Sequence, residues 1–255
     1  MSQERQQNAT WANVGERVAK FCADAEVLCR RIAPRDLGDT PLYVVPLSRI
    51  NSILGGPSVC DGFTCPSLDL YLRHDIGSSW RGRGPCMVIN DLQFDDEEPA
   101  DVELALFATV LHELAHILER PRLFHERTNV EPARLLFEAI VLAAYVQDPP
   151  IENMPERMPL RDHGERFIRA ALHLCHRAEA AGVCIGPALV CPNRDYGLSH
   201  ANAYQAALGD EPVRLADAGI RDVLAGPPPE EFSRLWADDL THWLSHHLSE
   251  KEKIA

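Results

Sequence analysis

Val102-Glu103-Leu104-Ala105-Leu106-Phe107-Ala108-Thr109-Val110-Leu111-His112-Glu113-Leu114-Ala115-His116-Ile117-Leu118-Glu119 is the most strongly helical stretch of the chain. Its apolar residues run around the whole helix circumference, the pattern of a buried helix. Two histidines and a glutamate inside such a helix must be paired or bound to something, because unpartnered polar groups are costly away from water. His112 and His116, at i and i+4, lie one turn apart on one face, so both imidazoles can reach one tetrahedral metal. Glu113 is turned about 100° away, close enough to touch a metal-bound water from the side. The histidine face otherwise carries Ala105, Ala108, Thr109 and Ala115, small residues that leave room for a metal. The acidic run Asp95-Asp96-Glu97-Glu98 just ahead is explained by the positive end of the helix dipole.

His112-Glu113-Leu114-Ala115-His116 is an H-E-x-x-H motif, the pattern of zinc peptidases; such a site needs a third protein ligand, and two residues compete for the role. One is His163, in Asp162-His163-Gly164-Glu165-Arg166-Phe167 at the start of a helix. The other is Glu138, in the apolar helix Leu135-Leu136-Phe137-Glu138-Ala139-Ile140, where an unpaired carboxylate is expensive. Glycine at 119 and histidine at 122 would extend the motif in the metzincin manner, but the chain has Glu119 and Arg122. His125 follows Pro121, which ends the helix first.

His112-Glu113-x-x-His116 followed by His163-Gly164-x-x-Phe167 resembles the SprT-like zinc metalloproteases, the group that includes Spartan. The resemblance covers roughly residues 40–180, with its specific signal in those two segments. It implies one zinc ion held by His112, His116 and His163, Glu113 as catalytic base, and Phe167 as packing. It also implies a zincin-like α+β fold that hydrolyses peptide bonds in a protein or peptide substrate. Were Glu138 the ligand, the site would resemble a glutamate-type zincin such as thermolysin. A catalytically silent interaction module of the same fold is the alternative from another class.

The rest of the chain frames this helix. The spacing predicts an amphipathic helix over Trp11–Ile32 and short strands at Leu42–Val45, Leu68–Arg73 and Met87–Ile89. Further helices are expected at Pro132–Gln147, from an Asp162 N-cap to Ala181, and at Ser199–Leu208, Leu215–Ala225 and Glu230–Ser249. Val183–Cys191 reads as extended. The expected organisation is a catalytic domain over 1–182 and a mainly helical elaboration over 183–255. Met87-Val88-Ile89-Asn90 is the expected edge strand against which an extended peptide would pair. Tyr196, His200 and Tyr204 are candidate donors to a tetrahedral oxyanion. His173 and His176 are expected in surface or core roles.

Composition bounds the function. The 255 residues are 45% hydrophobic and 25% charged, with 25 Lys+Arg against 38 Asp+Glu and a net charge of −13. An acidic chain argues against a basic face tracking nucleic acid or anionic lipid. No apolar run approaches the ~20 residues of a membrane-spanning helix, and the N-terminus has no signal architecture, so a cytoplasmic protein is expected. The eight cysteines contain no C-x-x-C pair and read as thiols. Cys60, Cys65, Cys184 and Cys191 could close a second, structural zinc site only with unusually wide spacing.

Overall fold

The computed structural model describes residues 3–50, 61–64, 67–91, 99–120, 163–191 and 198–241. Over these the chain is α+β, mostly helical around one small sheet. Helix α1 (Gln3–Ile32) is followed by α2 (Pro34–Leu37), strand β1 (Tyr43–Pro46) and strand β2 (Gly62–Thr64). Two short helices, α3 (Leu68–Tyr71) and α4 (Arg73–Ile76), lead to strand β3 (Cys86–Ile89) and the long helix α5 (Pro99–Glu119). Then come α6 (Glu165–Ala180), α7 (Pro187–Val190), α8 (Leu198–Leu208), α9 (Glu211–Arg214), α10 (Ile220–Ala225) and α11 over 230–241.

The sheet has the order β1-β3-β2, with β1 parallel and β2 antiparallel to β3. All four residues of β3 are buried. Met87 and Ile89 enter the large core with α1, α5 and α6, while Cys86 and Val88 enter a second core with Phe63, Leu68, Leu72 and Ile76. A strand covered on both faces is apolar at every position, which is why Cys86-Met87-Val88-Ile89 lacks alternation. The strand pairing corrects the expected edge. β3 is the central strand, paired on both sides, and β1 and β2 are its flanks.

The expected strand over Leu68–Arg73 is helical instead. Leu68, Leu72 and Ile76 recur every four residues and all are buried, so the apparent alternation was one helical face. Asp69 is buried beside them and accepts hydrogen bonds from Arg83 Nε (3.0 Å) and the Gly84 amide (3.1 Å). β2 was not anticipated, since it holds a single large apolar residue, Phe63. The expected extended Val183–Cys191 contains α7, opened by Pro187, whose fixed φ suits a first helical turn. The N-cap of α6 is Gly164 with no side-chain cap, whereas Asp162 and the expected helix Pro132–Gln147 lie outside the described residues.

α5 meets the expectation of a buried helix. Val102, Leu106, Ala108, Val110, Leu111, Leu114, Ala115, Ile117 and Leu118 are buried, although Leu104 is exposed. It packs on α1, β2, β3 and α6, and one continuous core joins it to Val190, Tyr204, Ile220 and Phe232. The segment expected to start at Leu215 becomes helical only at Ile220. There Asp36 of α2 accepts the Ile220 and Arg221 amides at 2.7 and 3.0 Å. That cap is supplied across the fold and has no local sequence signature. Among the described residues no helix is long and apolar enough to cross a membrane.

Candidate metal centre

Helix geometry alone brings His112 and His116 together, one turn apart on α5. The third imidazole arrives from 51 positions later. His163 sits just ahead of Gly164, the N-cap of α6, and α6 lies against α5 in the core. The Nε2 atoms of His116 and His163 each lie 3.2 Å from Nε2 of His112. Among the described residues these three form the group able to hold a metal ion, with ligand atoms all within 4.8 Å of one another.

The distances suit one small cation. Tetrahedral ligands at the usual Zn–N length of 2.0–2.1 Å stand about 3.3 Å apart. The tautomer suits it as well. His112 Nδ1 donates to the Val190 carbonyl at 2.8 Å, which leaves its Nε2 with a lone pair facing the other two rings. Protonation is suppressed: burial, then the positive charges that His112 and His163 would carry, pull His116 down to about 2. Three half-buried imidazoles converging on one point present the donors a borderline metal takes.

Phe167, fully buried in the first turn of α6, packs against all three imidazoles. Its ring centroid lies 4.9, 4.4 and 4.9 Å from those of His112, His116 and His163. The contacts fix ring orientation through packing, the role expected of this residue.

Glu113 follows His112 on α5 and lies against β2. It is 5% exposed, and its carboxylate accepts a hydrogen bond from the Thr64 backbone amide of β2. Burial raises its pKa to about 8, with the Thr64 amide opposing. β2 approaches α5 closely because Gly62 has no side chain. A Cβ there would lie 2.5 Å from Thr109 Cγ2, 2.8 Å from the Val88 carbonyl oxygen and 3.7 Å from Glu113 Cγ.

Other candidates sort clearly. His173 is fully buried away from the trio, with Nε2 2.8 Å from Glu211 Oε1, and Arg169 Nε donates to that same oxygen at 2.9 Å. His173 therefore has a core role. The Tyr204 hydroxyl donates to Asp239 at 2.7 Å, and its ring packs on Phe232 and Trp236. Glu138, His125 and Tyr196 lie outside the described residues, as does the side chain of His200. Among the described cysteines Cys184 is exposed, Cys191 is buried and both are free thiols, while Cys60 and Cys65 lie outside.

Sequence reasoning missed Gly62, Thr64 and Val190. Two of them act through backbone groups and the third through the lack of a side chain, so no residue-type pattern marks them. No family model, no curated protein and no solved structure matches this chain.

Proposed function

We propose that this chain is a zinc-dependent peptidase of the SprT-like type, with a single catalytic metal. The observation that carries the reading is the convergence of three imidazole Nε2 atoms beside a buried glutamate. His112, His116 and His163 are the residues that would hold zinc, and the Val190 carbonyl presents His112 in the required tautomer. When bound, zinc supplies a Lewis acid that acidifies water and polarises a carbonyl. Glu113 takes the proton from the attacking water and returns it to the leaving amine. Its proton affinity, raised by burial, suits an acid–base group working near neutrality. Phe167 keeps water from the underside of the imidazoles and holds their planes.

β2 replaces β3 as the strand on which an extended substrate would pair, because it is the flank beside Glu113. Peptide or protein is the substrate, and the charge of −13 speaks against nucleic acid as a guide. The test is cleavage of unfolded casein by purified protein, with Glu113→Gln as control. Wild type should cleave, and Glu113→Gln should keep zinc and lose activity. Equal signals from both proteins overturn the peptidase reading, and zinc without turnover in wild type supports the silent module. Zinc per chain in His163→Ala and Glu138→Ala decides the third ligand. Loss only in Glu138→Ala overturns the set His112, His116 and His163.

A further inference from the structure

At the opposite side of α6 from its metal-facing start, the C-terminal ends of α1 and α6 enclose a cleft of about 380 Å³. It is lined by Arg31, Arg35 and Arg177 together with Ala180, Ala181 and Asp217. In a chain of net charge −13, three guanidinium groups face one carboxylate here.

Arg177 is only 8% exposed. Its terminal nitrogens are spent on backbone carbonyls: Ile32 at 3.1 Å, Leu215 at 3.2 Å and Ala218 at 2.7 Å. Its Nε–H is buried without an acceptor. Asp36 and Asp217 act on it through charge, but neither forms an ion pair with it, and Asp36 is committed to the Ile220 and Arg221 amides. Burial accordingly pulls the guanidinium below its ordinary value. Buried charges are normally paired, so this one lacks its anion. Arg31 and Arg35 are exposed at the same cleft and make no hydrogen bond or ion pair among the described residues. Their forks remain available for a planar or tetrahedral oxyanion.

We propose that this cleft binds a phosphate-sized oxyanion, with Arg31 and Arg35 gripping it at the mouth and Arg177 supplying charge from below. The volume also admits a small molecule carrying a phosphoryl group. Neither possibility involves the histidine centre.

The experiment is calorimetric titration of the zinc-loaded protein with sodium phosphate against sodium chloride at matched ionic strength, and in parallel with glycerol 3-phosphate. Removing Arg177 risks unfolding, so the variants are the surface pair Arg31→Ala/Arg35→Ala and a distant control, Arg234→Ala. Saturable phosphate binding weakened about tenfold or more in the pair and unchanged in the control is expected, since charge-assisted bonds are lost. Tighter binding of the ester assigns the cleft to a phosphorylated small molecule, and equal affinity assigns it to the free anion. No saturable heat above chloride overturns the proposal. So does a double variant that binds phosphate like wild type, which would place the anion at the histidines.

Discussion

Replacing Gly62 by alanine tests the link between the sheet edge and Glu113 most directly. The added Cβ would stand 2.5 Å from Thr109 Cγ2 and 2.8 Å from the Val88 carbonyl oxygen. Carbon atoms settle at about 3.5–4.0 Å, so β2 and α5 must part by about 1 Å. The strain costs about 1–3 kcal/mol of stability. The larger effect falls on Glu113, whose carboxylate is held by the Thr64 amide on the displaced strand. A 1 Å misplacement of a catalytic group costs on the order of 10²-fold in rate. The three histidines lie on α5 and before α6, so the metal centre itself should survive. The assay is steady-state hydrolysis of a fluorogenic peptide at equal zinc content, with the thermal midpoint measured alongside. We expect kcat to fall about 10²-fold with zinc retained, and Thr109→Ala to recover part of it by removing the nearer obstacle. A folded, zinc-loaded Gly62→Ala protein with kcat within about twofold of wild type would refute the coupling.

Four further outcomes are expected. His116 has its folded value lowered to about 2, so in metal-free protein its stability contribution is present above pH 6.5 and lost as pH falls toward 2. Zinc binding should weaken over the same acidic descent, read by a chelating dye, and flat binding to pH 4 would contradict neutral ligands. Glu113 is shifted the other way, to about 8, so its contribution is present below 4.5 and lost as pH rises through 8. Metal-free Glu113→Gln should therefore be more stable than wild type at pH 9, by a few kcal/mol at most, in urea unfolding. Glu211→Gln strips the carboxylate from Arg169, which is 4% exposed, and should cost about 3–5 kcal/mol by denaturant midpoint. A chain cut after residue 182 keeps every proposed ligand yet loses the Val190 carbonyl and Phe232 of the core, and it should fail to hold zinc in equilibrium dialysis.

Those features readable from the sequence are the ones whose cause is local. The i, i+4 pairing of His112 and His116 needs only helical periodicity, and the all-round apolar surface of α5 announces its burial. His163 was found through its resemblance to a family segment, with Glu138 left beside it, since nothing local sets the distance between α5 and α6. Elsewhere local pattern and tertiary demand diverge. Leu68, Leu70 and Leu72 alternate like a strand, but Leu68 and Leu72 are one turn of helix under the sheet, and Asp69 is tied to Arg83. The apolar run of β3 marks a strand covered on both faces, but which strands pair with it is set by distant segments, and β1 and β2 occupy both of its edges. Gly62 is a packing requirement between two elements, and a single glycine carries no mark of what it touches.

The histidine group also depends on a part of the chain that supplies none of its three imidazoles. His112 can present Nε2 only if its proton sits on Nδ1, and the acceptor that holds it there is the Val190 carbonyl at the end of α7. That carbonyl faces the imidazole because Val190 is buried in the core formed by α1, α5 and α6. α6 is clamped in turn from the same side: Arg169 binds Glu211 and the Gly226 carbonyl, while Arg177 binds Leu215 and Ala218. These contacts fix the axis of α6, and with it the position of His163 just before its first turn. The mainly helical segment after residue 182 thus acts on the histidine group twice, through the tautomer of His112 and the placement of His163.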